Sequence, residues 1–265
     1  MRRMTAAMFS LSPATDQTES GLMLSRILIV AVIAGALSGV AITALQMVWS
    51  VPLIIAAEAY ESGPEPVSGH VHAEGAAHDH DAHHHGDADV WAPEDGIERT
   101  LWTAITNILL GVGGGLIIAA FMAFRKNPVT LQTGVVFGLA AFASVSLAPA
   151  LGLPPELPGM AAAALEARQT WWLSTAIATA VSIAAVFYAP RNWMKFAAVA
   201  LLVLPHLIGA PQPASHQTAV PDALIQEFIV ASLVTAAVFW TGLGSLVGVL
   251  GRKFDLTASR PVVPA

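Results

Sequence analysis

Six apolar stretches, the shortest of them 16 residues, limit what this chain can fold into before any other feature does. They run from about Ile27 to Val48, Leu101 to Phe124, Leu131 to Leu151, Trp171 to Tyr188, Lys195 to Ala210 and Leu224 to Leu250. A helix needs about 20 apolar residues to cover the hydrocarbon core of a bilayer. Inside that core every backbone polar group must be satisfied within the protein, which helices do by themselves. Composition agrees, since only 11% of residues are charged, against about 25% in a soluble domain. The expected fold is all-α: an integral membrane protein, a bundle of about six transmembrane helices. The first stretch continues past Pro52 towards Ala57, with a kink expected where proline removes a backbone donor. The fifth is the weakest, with Pro205 inside it, and reads as either a short tilted span or a re-entrant segment.

Charge placement arbitrates, because Lys and Arg resist translocation. Arg2, Arg3 and Arg26 precede the first stretch; Arg125 and Lys126 separate the second from the third. Arg191 and Lys195 separate the fourth from the fifth, and Arg252, Lys253 and Arg260 follow the sixth. The three loops on the other side hold only Arg99 and Arg168. This alternation expects six crossings with both termini cytoplasmic. Residues 1–22, rich in Ser, Thr, Asp and Gln, read as a disordered extension, and Met23 opens a tidier start. Residues 23–265 then form the membrane domain, with 59–100 as an extracytoplasmic loop. Gly35 and Gly39 in the first stretch, and Gly111 and Gly115 in the second, have the spacing that lets helix backbones approach closely in lipid.

That loop carries the clearest chemistry. His70, His72, His78, His80, His83, His84 and His85 alternate with Glu74, Asp79, Asp81, Asp87 and Asp89. Seven of the chain's nine histidines and 11 of its 18 acids lie between Glu58 and Glu98. Imidazole suits cobalt, nickel, copper and zinc, and carboxylate adds oxygen ligands and negative charge. Irregular spacing among Gly and Ala excludes a rigid cage. A disordered multi-site collector of divalent transition metal is expected. The competing readings are an acidic solvated loop whose histidines are incidental, and a pH sensor built on imidazole's titration near neutrality.

Polar residues near the bilayer gather on the same side. Gln46 and Glu58 lie at the outer end of the first span, Asn107 two turns into the second, and Glu166, Arg168 and Gln169 directly before the fourth. His206 is near the outer end of the fifth, and Gln226 and Glu227 open the sixth. Ionisable groups in a membrane are expensive and usually functional. Glu58, Glu166 and His206, with Glu227, are therefore expected to accept the ion from the loop; Gln46, Arg168 and Gln169 are further pathway candidates. The plainer readings are helix-dipole placement for Glu166 and Glu227, interfacial anchoring for Arg168, and a backbone hydrogen bond for His206 beside Pro205. Trp49, Trp91, Trp102, Trp171 and Trp172 read as an outer aromatic belt.

Several classes drop out. With no cysteine there is neither a disulfide frame nor a thiolate metal site. Gly111-Val112-Gly113-Gly114-Gly115 lacks the following Lys-Ser/Thr of a phosphate loop, and no Ser-His-Asp, HExxH or dinucleotide pattern supports an enzyme. No basic patch interleaved with aromatics invites nucleic acid. The helices also lack the early histidine–aspartate signature of nickel/cobalt permeases and the mid-helix ligands of cation diffusion facilitators.

The opening MLSRILIVAVIAGALSGVAITALQ with VPLIIAAEAYE, the junction LAPALGLPPELPGMAAAALEARQTWW, the PRNWMKF loop and LPHLIGAPQP together resemble the CbtA family of predicted cobalt transporter subunits. The resemblance covers nearly the whole chain from Met23. It implies a bacterial inner-membrane protein of five or six spans and cobalt uptake linked to cobalamin synthesis. It also implies a small single-span partner, CbtB, with a histidine-containing tail. Glu58, Glu166, Arg168, Gln169 and His206 fall in the resembling stretches. The cargo expected is divalent cobalt, nickel or zinc, with no tightly bound cofactor, and the membrane lipid is the other partner. A non-transporting scaffold that delivers metal to a separate permease is the alternative from another class.

Overall fold

The structure, a computed structural model, describes residues 13–61, 93, 96–125 and 128–256. Among these it is all helix and connections: α1 Pro13–Val48, α2 Ser50–Glu61, α3 Ile97–Phe124, α4 Leu131–Ala150, α5 Leu165–Tyr188, α6 Asn192–Ile208 and α7 Asp222–Lys253. Five of them, α1 (over Gly21–Val48), α3, α4, α5 and α7, are long and apolar enough to cross a membrane. The 17-residue α6 is apolar but rises only about 25 Å at 1.5 Å per residue, a little short of a hydrocarbon core of about 30 Å.

Two expectations change in detail. Helix α1 begins at Pro13, so residues 13–22 are helical where a disordered extension was expected. Proline suits the first helical position. The kink foreseen at Pro52 is a break at Trp49 between α1 and α2. The proline ring would collide with the carbonyl four residues earlier, that of Val48, and this is where regular helix stops.

Glycine sets the two tightest seams. Gly35 meets the backbone of Gly111 and Val112, Gly39 that of Asn107 and Ile108, and Gly115 that of Ala31. The pairs read from sequence thus pack on one another between α1 and α3. A second set, Gly134 and Gly138 of α4 against Gly244 and Gly248 of α7, does the same and was not anticipated. Val30, Ile118, Met122, Trp240, Leu243 and Val247 fill the core between these seams. Helix α7 is its axis, touching α1, α2, α3 and α4.

Helices α5 and α6 form a separate antiparallel pair, joined to the rest mainly through α4. There α4 widens into a π turn at Ala143–Leu147, where the Ala148 N–H donates to the Ala143 carbonyl five residues back. Pro149 explains it: in a regular α-helix its ring would strike the carbonyl of Val145, and an extra residue in the turn relieves the clash.

The bundle has two distinct ends. At one, Arg26 Nη1 donates to the Asp255 carbonyl at 2.9 Å, Leu256 packs with Val129, and the Arg125 guanidinium lies 5.3 Å from the Phe137 ring centre and 5.9 Å from that of Tyr188. At the other, Ala57, Leu157 and Val220 make a small second core, and Trp171 meets His206. Helix α5 ends at the first end and α7 starts at the second. The chain between them makes the passage as α6.

Candidate ion entry site

Among the described residues, the polar candidates read from sequence lie at the second end, in several places rather than one. Glu58, in the last turns of α2, accepts from Arg99 Nη2 of α3 at 2.6 Å. Arg168, in the first turn of α5, donates from Nη2 to Glu156 Oε2 at 2.7 Å. Glu156 sits in the connection after α4 and was not singled out from sequence. Both pairs are about one-third exposed or less. The two arginines that break the charge alternation are therefore each neutralised by a neighbouring acid. For Glu58 or Glu156 to bind a divalent ion, the ion must compete with a guanidinium already in place.

His206 is half-buried near the C-terminus of α6. Its Nε2 lies 3.1 Å from the Ala148 carbonyl and its Nδ1 3.3 Å from the Leu202 carbonyl. A neutral imidazole has one N–H, so only one of these contacts is a hydrogen bond at a time. The Leu202 carbonyl is not the one that Pro205 deprives of a donor, which is Leu201. The ring also stands edge-on to Trp171, with centroids 6.0 Å apart. Trp171 is only 8% exposed, so it belongs to the interior and not to the aromatic belt expected of it; Trp172, one residue on, is 40% exposed.

Glu166 is exposed and lines an open groove of about 620 Å³ with Thr170, Trp171, Ser174 and the Gly209–Pro211 turn. Gln169 and Arg168 face a second groove of about 410 Å³ between α4, α5 and Ser232 of α7. Glu227 is exposed on the first turns of α7. Asn107 donates from Nδ2 to Gln46 Oε1 at 2.7 Å and to Thr43 Oγ1 at 3.0 Å, which ties α3 to α1. Glu58, Glu166 and His206 are not drawn together. Among the described residues no three His, Asp or Glu side chains stand close enough to share a metal ion. His70, His72, His78, His80, His83, His84 and His85 lie outside the described residues, as does Trp91.

Sequence reasoning passed over the buried hydroxyls. Ser144 of α4 and Thr175, Thr179 and Ser182 of α5 are all inside. Positions 171, 175, 179 and 182 recur at helical spacing, a signal present in the sequence but masked by the apolar residues around it.

Long apolar helices packed through glycine, with polar side chains gathered at one end, define a multi-pass helical membrane protein. The chain belongs to the CbtA family, described as "Probable cobalt transporter subunit (CbtA)", whose profile matches residues 24–252. No curated protein and no solved structure matches the chain.

Proposed function

We propose that this chain is the ion-translocating subunit of a cobalt uptake system of the bacterial inner membrane. The family match over residues 24–252 carries the reading. Six crossings with both termini cytoplasmic are supported by α6 bridging the two ends and by Arg26, Arg125, Arg252 and Lys253 belonging to one of them. The histidine loop, following α2, then faces outward and collects divalent metal for Glu58, Glu166 and His206. The seven loop histidines supply the ligands for cobalt, nickel or zinc. Inward movement of a divalent cation gains about 4.6 kcal/mol per 100 mV of membrane potential, so no bound nucleotide is required. A CbtB-like single-span subunit is the partner, and cobalamin synthesis is the use of the metal.

The ion pairs on Glu58 and on Arg168 favour a second reading, in which the chain is a scaffold that hands metal to a separate permease. Radiolabelled cobalt flux into liposomes containing this chain alone separates the two. Uptake by the chain alone upholds the first; uptake only after a partner is added upholds the second. A reporter fused after Arg252 is expected to be active only in the cytoplasm, and one inserted near Gly86 only outside it. Activity of both on one side defeats the six-crossing arrangement.

A further inference from the structure

Thr175 is 0% exposed and Thr179 2%, and neither hydroxyl has a hydrogen-bond partner. This is unusual for a helix in lipid, where a threonine hydroxyl ordinarily donates to the carbonyl one turn back. Other buried hydroxyls here do so: Ser182 to Ala178 at 2.7 Å, Ser144 to Ala140 at 2.8 Å and Thr235 to Ala231 at 2.8 Å. Four buried hydroxyls among the described residues do not: Ser38 of α1 and Ser50 of α2 stand singly, whereas Thr175 and Thr179 lie one above the other on α5, directly below Trp171, whose indole N–H is also unpartnered. His206 stands against that ring and against the Ala148 carbonyl, so α4, α5 and α6 meet at this level. Since α4 runs antiparallel to α5, Ser144, one turn from Ala148, falls near the level of Thr175. That stretch of α4 is the π turn, and Pro149 beyond it has no N–H to give to a carbonyl of the turn.

We propose that the seam between α4, α5 and α6 is the route of the divalent cation, entered at His206 and continued by the hydroxyls of Thr175 and Thr179 with the carbonyls of the π turn. This deepens the transport reading and rests on it. The chemistry is oxygen solvation: hydroxyl and carbonyl dipoles replace part of the ion's hydration shell, as rings of carbonyls do in channels. Oxygen dipoles without fixed charge can accept an ion and release it, which a cage of carboxylates does poorly. Unpartnered groups in a low-dielectric interior are costly, and a passing ion with its water gives these two a partner. The glycine seams offer no such route, because backbone atoms fill them.

The chain has no cysteine, so single cysteines can be read against a silent background. In proteoliposomes, Thr175→Val with Thr179→Val keeps volume and β-branching while removing both hydroxyls, and is expected to lower cobalt uptake about tenfold or more. Thr175→Ser with Thr179→Ser, which keeps the hydroxyls, and Thr235→Val, whose partnered hydroxyl lies on α7, are expected to stay within about twofold of wild type. Thr175→Cys and Thr179→Cys are expected to react with a water-soluble thiol reagent, more slowly when cobalt is present. Ile177→Cys, on the exposed face of α5, is the lipid-side comparison. Should the valine pair fail to fold, the thiol measurement decides alone. Undiminished uptake by a folded valine pair, or labelling at 175 and 179 no greater than at 177, overturns the seam. Wild-type protein that moves no cobalt, with or without a partner, overturns the transport reading and the seam with it.

Discussion

Gly39→Ala probes the packing that holds the first two long helices together. A Cβ at this position would lie 2.6 Å from Ile108 Cα and 2.6 Å from Ile108 N. Carbon atoms rest about 3.5–4.0 Å apart, so α1 and α3 must separate by about 1 Å. A gap of that size forfeits roughly a quarter to a half of each dispersion contact along the seam. It also stretches the Asn107 bonds to Gln46 and Thr43, now 2.7 and 3.0 Å, to or beyond the limit of a hydrogen bond. Overpacking of this kind costs about 1–3 kcal/mol, and an interhelical hydrogen bond in a membrane protein adds about 0.6 kcal/mol each. The expected loss is therefore about 2–4 kcal/mol. Gly113→Ala is the control, on the facing helix α3 with nothing within 4 Å of its Cβ. Helix propensity alone favours alanine there by about 0.5–1 kcal/mol. Unfolding free energies of the two variants, measured in bicelles by trapping the separated state, give the comparison. If Gly39→Ala is as stable as Gly113→Ala, the close approach of α1 and α3 is wrong.

Three other outcomes follow from the second end of the bundle. Glu156→Gln weakens a charge-assisted bond at 2.7 Å and is expected to destabilise the start of α5 by about 1–3 kcal/mol. Combined with Arg168→Gln it should cost less than the sum of the two, and strict additivity in a double-mutant cycle refutes the pair. His206→Ala, or Glu58→Gln with Glu166→Gln, is expected to abolish cobalt uptake at normal protein level and topology. Wild-type accumulation in these variants makes the three residues structural. Deleting residues 69–89 is expected to weaken scavenging at low metal while leaving uptake at saturating metal intact, because a collector raises local concentration without forming the path. Complete loss at saturation places the loop in the path itself.

The long apolar runs and the Gly35, Gly39, Gly111 and Gly115 spacing could be read directly, because lipid imposes length and small residues impose contact. Helix positions agree with those runs to within a few residues, apart from the early starts of α1 and, by six residues, of α5. The features missed all depend on tertiary context. Pro149 announces that regular helix must fail near it, but whether the chain kinks, breaks or widens depends on what packs alongside, here α5 against the π turn. Trp171 and Trp172 are chemically identical neighbours, and only helix phase sends one inward to His206 and the other outward. That phase was available from Thr175, Thr179 and Ser182, had small polar residues been given the weight accorded to charged ones. Arg168 was legible as a membrane-edge cation, yet its partner Glu156 lies 12 positions away across a proline-rich connection, beyond any local rule. Depth alone groups Glu58 with His206, whereas in the structure each keeps its own partner, Arg99 for Glu58 and the Ala148 carbonyl for His206.

The two kinds of seam assign different consequences to mutation, and this separates frame from path. Where Gly134 and Gly138 meet Gly244 and Gly248, and where Gly35 meets Gly111, backbone lies against backbone. Such contacts cannot part by the diameter of a hydrated ion without losing their whole dispersion energy, so they hold α1 to α3 and α4 to α7, and the apolar core between the seams joins the two pairs as one body. The α5–α6 pair is attached differently, along its length mainly through the widened turn of α4 and the His206 contact with Ala148, with Arg125 beside Tyr188 at one end and Glu156 on Arg168 at the other. Threonine hydroxyls along that boundary contribute little to cohesion, since they bond to nothing there. Gly39→Ala should therefore lower stability while leaving uptake per folded molecule near that of wild type. Thr175→Val with Thr179→Val should do the reverse, since burying methyl in place of an unpartnered hydroxyl is neutral or stabilising. Stability and transport that fall together in both variants would mean that the bundle is one undivided unit, and that no seam in it is reserved for the ion.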